Sequence, residues 1–282
     1  MDWREILEQL EAQLASLERQ GVGYLNLAPD QALARQLSQA SPVPAAATGA
    51  ESRGRAAQLA ARLKGGTAVV TGQPPPEPAP PPEEDLSRPP RVASGGAASL
   101  DELSAEYGAC MACALAGGRN CLVFGAGHER SAIMFIGEGP GAEEDQQGLP
   151  FVGRAGALLT GMIQALGLTR DDVYITNVVK CRPPGNRNPQ PEEIAACRPI
   201  LQQQIELLDP KLIVTLGNVP LKVLRPNAAG ITRERGRTFS YGNWQVLPTF
   251  HPSYLLRNQA AIQTCWLDFK LAFRLAYPQP GG

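Results

Sequence analysis

The sequence predicts an α/β domain of three layers, with a central, mostly parallel sheet between two layers of helices, behind a helical and proline-rich N-terminal extension. Three observations carry this. Beyond Leu100, short apolar runs alternate with stretches of helical periodicity. One run, Ile133–Ile136, passes straight into a glycine-rich loop, as happens at the carboxyl end of a strand where open α/β sheets bind ligands. Before Leu100 the chain is rich in alanine and proline, and leucine is too sparse to build a core.

The chain opens on an amphipathic helix. Trp3, Ile6, Leu7, Leu10, Leu14 and Leu17 recur at helical spacing with Glu, Gln and Arg between them, and Gly21 ends the pattern. A single apolar stripe predicts docking on the chain itself, pairing with a second copy, or capture of a partner protein; the chain is expected to be a monomer. Gln31–Ser38 and Glu51–Leu63 read as short Ala-rich helices. From Pro74 to Pro90 the sequence is PPPEPAPPPEEDLSRPP. Such a run favours polyproline II at about 3.1 Å per residue, and spans on the order of 50 Å as a semi-rigid spacer. The expected organisation is an extension over 1–73, a linker over 74–99 and a folded domain over 100–282.

Within the domain, Leu122–Phe124, Ile133–Ile136, Val173–Thr176, Leu212–Leu216 and Val246–Phe250 are the expected strands. Ala155–Leu166, Glu192–Leu208 and Ala260–Ala276 are the expected helices, the second broken at Pro199. About 180 residues suffice for one such domain.

Composition narrows the function classes. Six cysteines, no leader and no long apolar run predict a cytoplasmic protein, neither secreted nor membrane-spanning. A net charge of -1 carries no overall signature of a nucleic-acid binder, so such a role rests on local charge. From Gly217 onward, Lys222, Arg225, Arg233, Arg235, Arg237, Arg257, Lys270 and Arg274 stand against Glu234 and Asp268, a surplus of six positive charges.

The strand at Ile133 runs into Gly137-Glu138-Gly139-Pro140-Gly141, with Glu143, Glu144 and Asp145 directly after. The glycines let backbone approach a ligand closely. A dinucleotide fingerprint needs its third glycine one place later, and a P-loop needs Gly-Lys-Ser/Thr where Ala142-Glu143-Glu144 stands. Three carboxylates would also repel a phosphate. The loop therefore suits a neutral ligand or a developing positive charge; acids that merely favour the positive end of a helix are the other reading, and residue types leave both open.

Cys110-Met-Ala-Cys113 precedes the central strands, and Cys181 and Cys197, with fifteen residues between them, follow the third. Together they make a four-thiolate site, and spacing does not choose between zinc and an iron–sulfur cluster. Cys121 is a rival ligand, and Cys265 reads as a small packed residue of the last helix. Three further residues stand at strand ends or loops on the same rim. Phe151 can offer a flat face to a planar ligand or serve as core. Asn177 has both a donor and an acceptor for an imide-like edge. His251 ends the last strand, whereas His128 reads as a loop residue.

GEGPGAEEDQQGLPFVGRAG, ITNVVKCRPPGNRNP and HPSYLLRN, with the CxxC pair and the two later cysteines, resemble a family-4 uracil-DNA glycosylase, the iron–sulfur type of bacteria and archaea. The resemblance covers about Leu100 to Ala276 and does not reach the extension. It implies that Cys110, Cys113, Cys181 and Cys197 hold a structural [4Fe-4S] cluster. It implies further that Phe151 stacks on uracil, that Asn177 reads its O4 and N3–H, and that Glu138, Gly139 and Pro140 wall the base. His251 would face O2 as the base leaves, and Glu144 would position water, aided by Asn186. Relatives that trap the product covalently carry a basic insertion with a reactive histidine after the third strand. Here Pro183-Pro184-Gly185-Asn186-Arg187-Asn188 has none, so turnover is expected.

On this reading the partner is uracil-containing DNA, single- or double-stranded, and the location is the nucleoid. The target base must be extruded, at a cost of a few kcal/mol. Grip would come from the basic last third, with Tyr254 or Leu255 as a wedge in the vacated stack. An iron–sulfur electron carrier using the same cysteines is the alternative from another class; it needs neither Asn177 nor His251.

Overall fold

The computed structural model describes residues 97–278. The helix at Trp3–Leu17, the two Ala-rich segments and the proline run lie outside the described residues. The fold begins on a capped helix, α1 (Leu100–Tyr107), where the Ser99 hydroxyl accepts the Glu102 N–H at 3.2 Å. There follow β1 (Ala126–Gly127), β2 (Ile133–Gly137), α2 (Ala142–Gln147), α3 (Arg154–Gln164), β3 (Tyr174–Asn177), α4 (Pro191–Leu208), β4 (Leu212–Leu216), α5 (Asn218–Leu224), α6 (Ile231–Glu234), β5 (Phe239–Tyr241), β6 (Trp244–Thr249), α7 (Pro252–Arg257) and α8 (Ile262–Ala276).

The sheet has six strands in the order β1-β3-β2-β4-β6-β5. The four inner strands are parallel, and the two edge strands are antiparallel to their neighbours. Strand periodicity separates two cores. Ile133, Phe135, Ile175, Leu212, Val214 and Leu247 face α3 and α8, burying Leu159, Met162, Trp266 and Phe269. Met134, Ile136, Tyr174, Ile213 and Val246 face α1 and α4, burying Leu103, Ile200, Leu201 and Ile205. Both faces are covered, which is why the inner strands read as unbroken apolar runs and why the three-layer α/β/α arrangement holds.

Two expectations need correction, and one strand is added. Leu122–Phe124 is extended chain and not a strand: Val123 donates to the Lys180 carbonyl at 2.9 Å, but the Phe124 carbonyl is taken by the side chains of Thr176 and Gln204. Edge pairing with β3 falls instead to Ala126 and Gly127. Pro199 does not break its helix, which runs through it from Pro191 to Leu208. The buried side chains of Cys197, Ile200, Leu201, Ile205 and Leu208 hold both halves against the sheet, and this packing outweighs the missing backbone donor. The hairpin strand β5 was not anticipated; it pairs with β6 across a turn at Gly242 (φ 57).

Because β2, β3 and β6 run in parallel, their carboxyl ends share one edge, and Gly137, Asn177 and the chain entering His251 all lie there.

Candidate functional site

Gly137 pairs with Asn177 across β2 and β3. A Cβ on Gly137 would stand 2.5 Å from Phe151 Cζ and overlap the Asn177 side-chain oxygen, so only glycine lets the two side chains meet there. Asn177 is 1% exposed, and its Oδ1 has no hydrogen-bond partner. Leaving a buried acceptor unpaired costs about 1–3 kcal/mol, which a ligand N–H would recover.

Phe151 is buried, with φ 53 in the left-handed region. That conformation costs about 1–2 kcal/mol in a residue with a Cβ. The cost is met by a double clamp. Arg170 donates to the carbonyls of Phe151 at 3.1 Å and Pro150 at 2.7 Å, while Glu144 Oε1 accepts the N–H groups of Val152 at 2.8 Å and Gly153 at 2.9 Å. Hydrogen bonds to charged groups contribute about 1.5–3 kcal/mol each, so the clamp exceeds the strain. Underneath, any side chain at Gly156 would collide with the Phe151 carbonyl. Glu144 also accepts the Gly141 N–H at 3.1 Å, reaching back to the N-terminus of α2. An ionised carboxylate has about four lone-pair sites; three are occupied, leaving one free.

His251 is the N-cap of α7, and its Nδ1 accepts the Ser253 N–H at 3.1 Å. An accepting Nδ1 leaves the proton of the neutral ring on Nε2. Burial first, and then the nearby Arg257, lower its pKa to about 4, against an upward pull from Glu144. The ring is therefore neutral near pH 7. It lies 5.6 Å from the Phe151 ring, tilted by 33°.

Glu144, Phe151, Asn177 and His251 thus come together. The loop before them is tied down by the Val178 N–H on the Gly137 carbonyl at 2.9 Å and the Val179 N–H on the Glu138 carbonyl at 3.2 Å. The Glu138 carboxyl is pushed up by burial. Gly139 packs on Val179 and Pro183, and Pro140 is buried. Asn186 is exposed, in the turn Pro184–Asn186, and its Oδ1 accepts from Arg182 Nε at 2.8 Å.

Sequence reasoning missed two charged residues under the site, Arg170 and Lys180. Lys180 is 0% exposed, and its ammonium donates to Thr176 Oγ1 at 2.7 Å, the Asn177 carbonyl at 2.7 Å and Gln204 Oε1 at 2.6 Å. Three donors meet three acceptors. Burial lowers its pKa to about 7, against an upward pull from Cys197. A lysine following Val178 and Val179 in an apolar run was the available signal.

The four expected metal ligands share one corner. Cys181 and Cys197 are buried, and burial raises both thiols, Cys197 to about 11. Cys110 and Cys113 act electrostatically on Cys181, and Cys113 and Cys181 act on Cys197. Arg119 donates to the Cys110 carbonyl at 2.6 Å and reaches Cys181 Sγ at 3.5 Å, and the Lys180 N–H reaches Cys197 Sγ at 3.4 Å. Cys121 is turned toward the Gln146 carbonyl, 3.7 Å away. Cys265 is buried beside Thr249, as a packed residue should be. Among the described residues, no three His, Cys, Asp or Glu side chains surround a point where a single ion would sit.

Two expectations about the DNA-facing side change. Leu255 is 0% exposed and cannot be a wedge, whereas Tyr254 is 37% exposed. Arg235 is held inward by Asp268, its Nε 2.9 Å from Oδ2, and Arg225 pairs with Glu234 at 3.1 Å. Both acids of the last third are thereby neutralised, and Lys222, Arg233, Arg237, Arg257, Lys270 and Arg274 make up the surplus.

A model of the uracil DNA glycosylase superfamily matches residues 124–270, which include Gly137, Glu144, Phe151, Asn177 and His251. A protein named type-4 uracil-DNA glycosylase from Thermotoga maritima is 52% identical over 153 residues, 54% of this chain and 80% of the relative. The chain belongs to the type-4 uracil-DNA glycosylase family. The type-4 protein of Sulfurisphaera tokodaii is 44% identical over 187 residues, covering 63% of this chain and 85% of that one. That of Archaeoglobus fulgidus is 39% identical over 180 residues, 61% and 90%. In this type-4 chain the conformation of Phe151 and the orphaned oxygen of Asn177 are the two features that single out the site.

Proposed function

We infer that the chain is a DNA-repair glycosylase that flips uracil out of DNA, hydrolyses its N-glycosidic bond and leaves an abasic site. The observation that carries this is the convergence of Glu144, Asn177 and His251 around Phe151, in a chain of the type-4 family.

Phe151 would stack on the base, with Glu138, Gly139 and Pro140 as its wall. Asn177 Oδ1 would accept uracil N3–H while its amide donates to O4. Cytosine reverses that pattern, and a mispaired buried polar edge rejects an analogue by roughly 10⁴. Thymine would be excluded by bulk near C5.

As the C1′–N1 bond breaks, its electron pair moves into the base and negative charge collects at O2. His251 Nε2–H is the donor for it, and one aligned donor contributes about 3 kcal/mol to such a transition state. A neutral imidazole suits this role because it gives a hydrogen bond without a standing charge in the pocket. The Glu144 carboxylate faces the developing positive sugar, and its free lone pair would orient a water, with Asn186 at the rim assisting. Water oxygen bonds to C1′, and its proton passes to the carboxylate.

The surplus lysines and arginines would grip DNA, single- or double-stranded, and Tyr254 would fill the gap left by the flipped base. Chromosomal DNA as substrate implies work at the nucleoid, in the cytoplasm. The chain would turn over as a monomer, and the apolar stripe of Trp3–Leu17 in its sequence is the candidate contact for a protein partner.

Cys110, Cys113, Cys181 and Cys197 would hold a [4Fe-4S] cluster. Four cysteine thiols within electrostatic reach of one another are the donor set that such a cluster takes. When bound, the cluster supplies a cross-link that ties the segment after β3 to the start of the domain, and no part of the hydrolysis.

The test is incubation with single-stranded and duplex uracil oligonucleotides followed by hot alkali. Strand cleavage at uracil positions alone is expected; intact strands at saturating enzyme overturn the inference.

A further inference from the structure

The bent run Pro150-Phe151-Val152-Gly153 is gripped by opposite charges on opposite groups. Its first two residues give carbonyls to the Arg170 guanidinium, and its last two give N–H groups to the Glu144 carboxylate. Arg170 is anchored in turn by Thr160 Oγ1 of α3 at 3.1 Å, and Glu144 is close enough to act on its charge. Phe151 sits at the centre of this grip, in a backbone conformation that a side chain rarely adopts (φ 53). Its ring meets His251 at 5.6 Å and abuts Gly137. Without the two carbonyl bonds, nothing on the guanidinium side opposes relaxation of the Phe151 backbone to a negative φ, which would swing the ring off the base-binding edge.

We propose that Arg170 is a positioning residue for base recognition, acting through Phe151 by holding the carbonyls of Pro150 and Phe151 in one planar fork. The proposal rests on the reading of Phe151 as the stacking residue. Arginine is required for its geometry: two N–H groups in fixed relation span two successive carbonyls, which a lysine ammonium does not reproduce.

Inhibition of the full-length enzyme by free uracil reads base binding apart from DNA grip. Arg170→Ala is expected to weaken uracil inhibition by about tenfold, the loss of roughly one charge-assisted bond's worth of order. KM for a uracil oligonucleotide should rise with it. Arg170→Lys should fall between wild type and Arg170→Ala; a lysine variant at wild-type strength would overturn the fork. The decisive comparison is a double-mutant cycle with Phe151→Ala. If Arg170 acts through the ring, Arg170→Ala adds nothing in the Phe151→Ala background. An equal effect in both backgrounds, or wild-type inhibition in Arg170→Ala, contradicts the proposal. Should Arg170→Ala fail to fold, Arg170→Lys in the same cycle decides it. Full uracil inhibition in Phe151→Ala alone would remove the stacking role itself, a separate failure visible before Arg170 is touched.

Discussion

The rings of Phe151 and His251 lie 5.6 Å apart, and the nitrogen of His251 that points away from Ser253 is the one carrying the proton. A stacking surface and a hydrogen-bond donor are therefore offered together on one edge of the sheet. The donor is available because the neutral ring is stabilised by burial and because Ser253 fixes its tautomer.

That arrangement sets a pH dependence. The His251 pKa is about 4 in the fold against 6.5 as its ordinary value. Between those values the unfolded chain binds the proton and the folded one does not. The contribution of His251 to stability is complete above about pH 6.5 and falls as pH drops toward 4, by about 3 kcal/mol in all. Urea melts of wild type and His251→Gln at pH 7 and pH 4.5 check this: the wild type should lose more stability on acidification. On the activity side, kcat/KM should show no histidine titration between pH 6 and 8, and His251→Ala should lower kcat by about 10²–10³.

Asn177→Asp replaces a donor and acceptor with acceptors alone. Uracil excision is expected to fall at least about 100-fold in single-turnover assays, since an edge that needs both is left with a repulsive contact. Circular dichroism should be unchanged.

Gly137→Ala tests close approach. The new methyl would stand 2.5 Å from Phe151 Cζ and against Asn177, so both must move. Overpacking of this kind costs about 1–3 kcal/mol, a few degrees in melting temperature, while excision should drop by at least about 100-fold because two binding groups are displaced together.

Lys180→Met leaves the Asn177 carbonyl and Gln204 Oε1 without the ammonium that both accept from. At about 1–3 kcal/mol for each buried orphan, offset in part by relief of a buried charge, a net loss of about 2 kcal/mol is expected from denaturant midpoints.

Much of this was legible in the sequence. Ile133–Ile136 and Leu212–Leu216 announced themselves because strands covered on both faces admit only apolar residues. Phe151, Asn177 and His251 were legible because each is a chemically distinctive side chain at the end of a strand or beside a glycine loop. Leu122–Phe124 misled for the same kind of reason: its apolar run is buried, but Thr176 and Gln204 occupy the Phe124 carbonyl that a strand would have offered to a neighbour. Arg170 was invisible, since its partners at Pro150 and Phe151 lie 20 and 19 residues away, and no local pattern announces a bond between a side chain and a distant carbonyl. Lys180 reaches Gln204, 24 residues on, in the same way. Local periodicity reports burial, and it does not report which buried polar groups answer each other.

The thiol corner makes its own prediction. Cys197→Ser should remove the broad visible absorbance of the purified protein, and Cys121→Ser should leave it intact. Iron and sulfide analysis of the two variants checks the assignment.

The most direct measurement is a crystal structure of the protein soaked with free uracil. One base stacked on Phe151 is expected, its N3–H on Asn177 Oδ1 and its O2 facing His251 Nε2. Uracil bound away from these three side chains, or absent from them at saturating concentration, would contradict it.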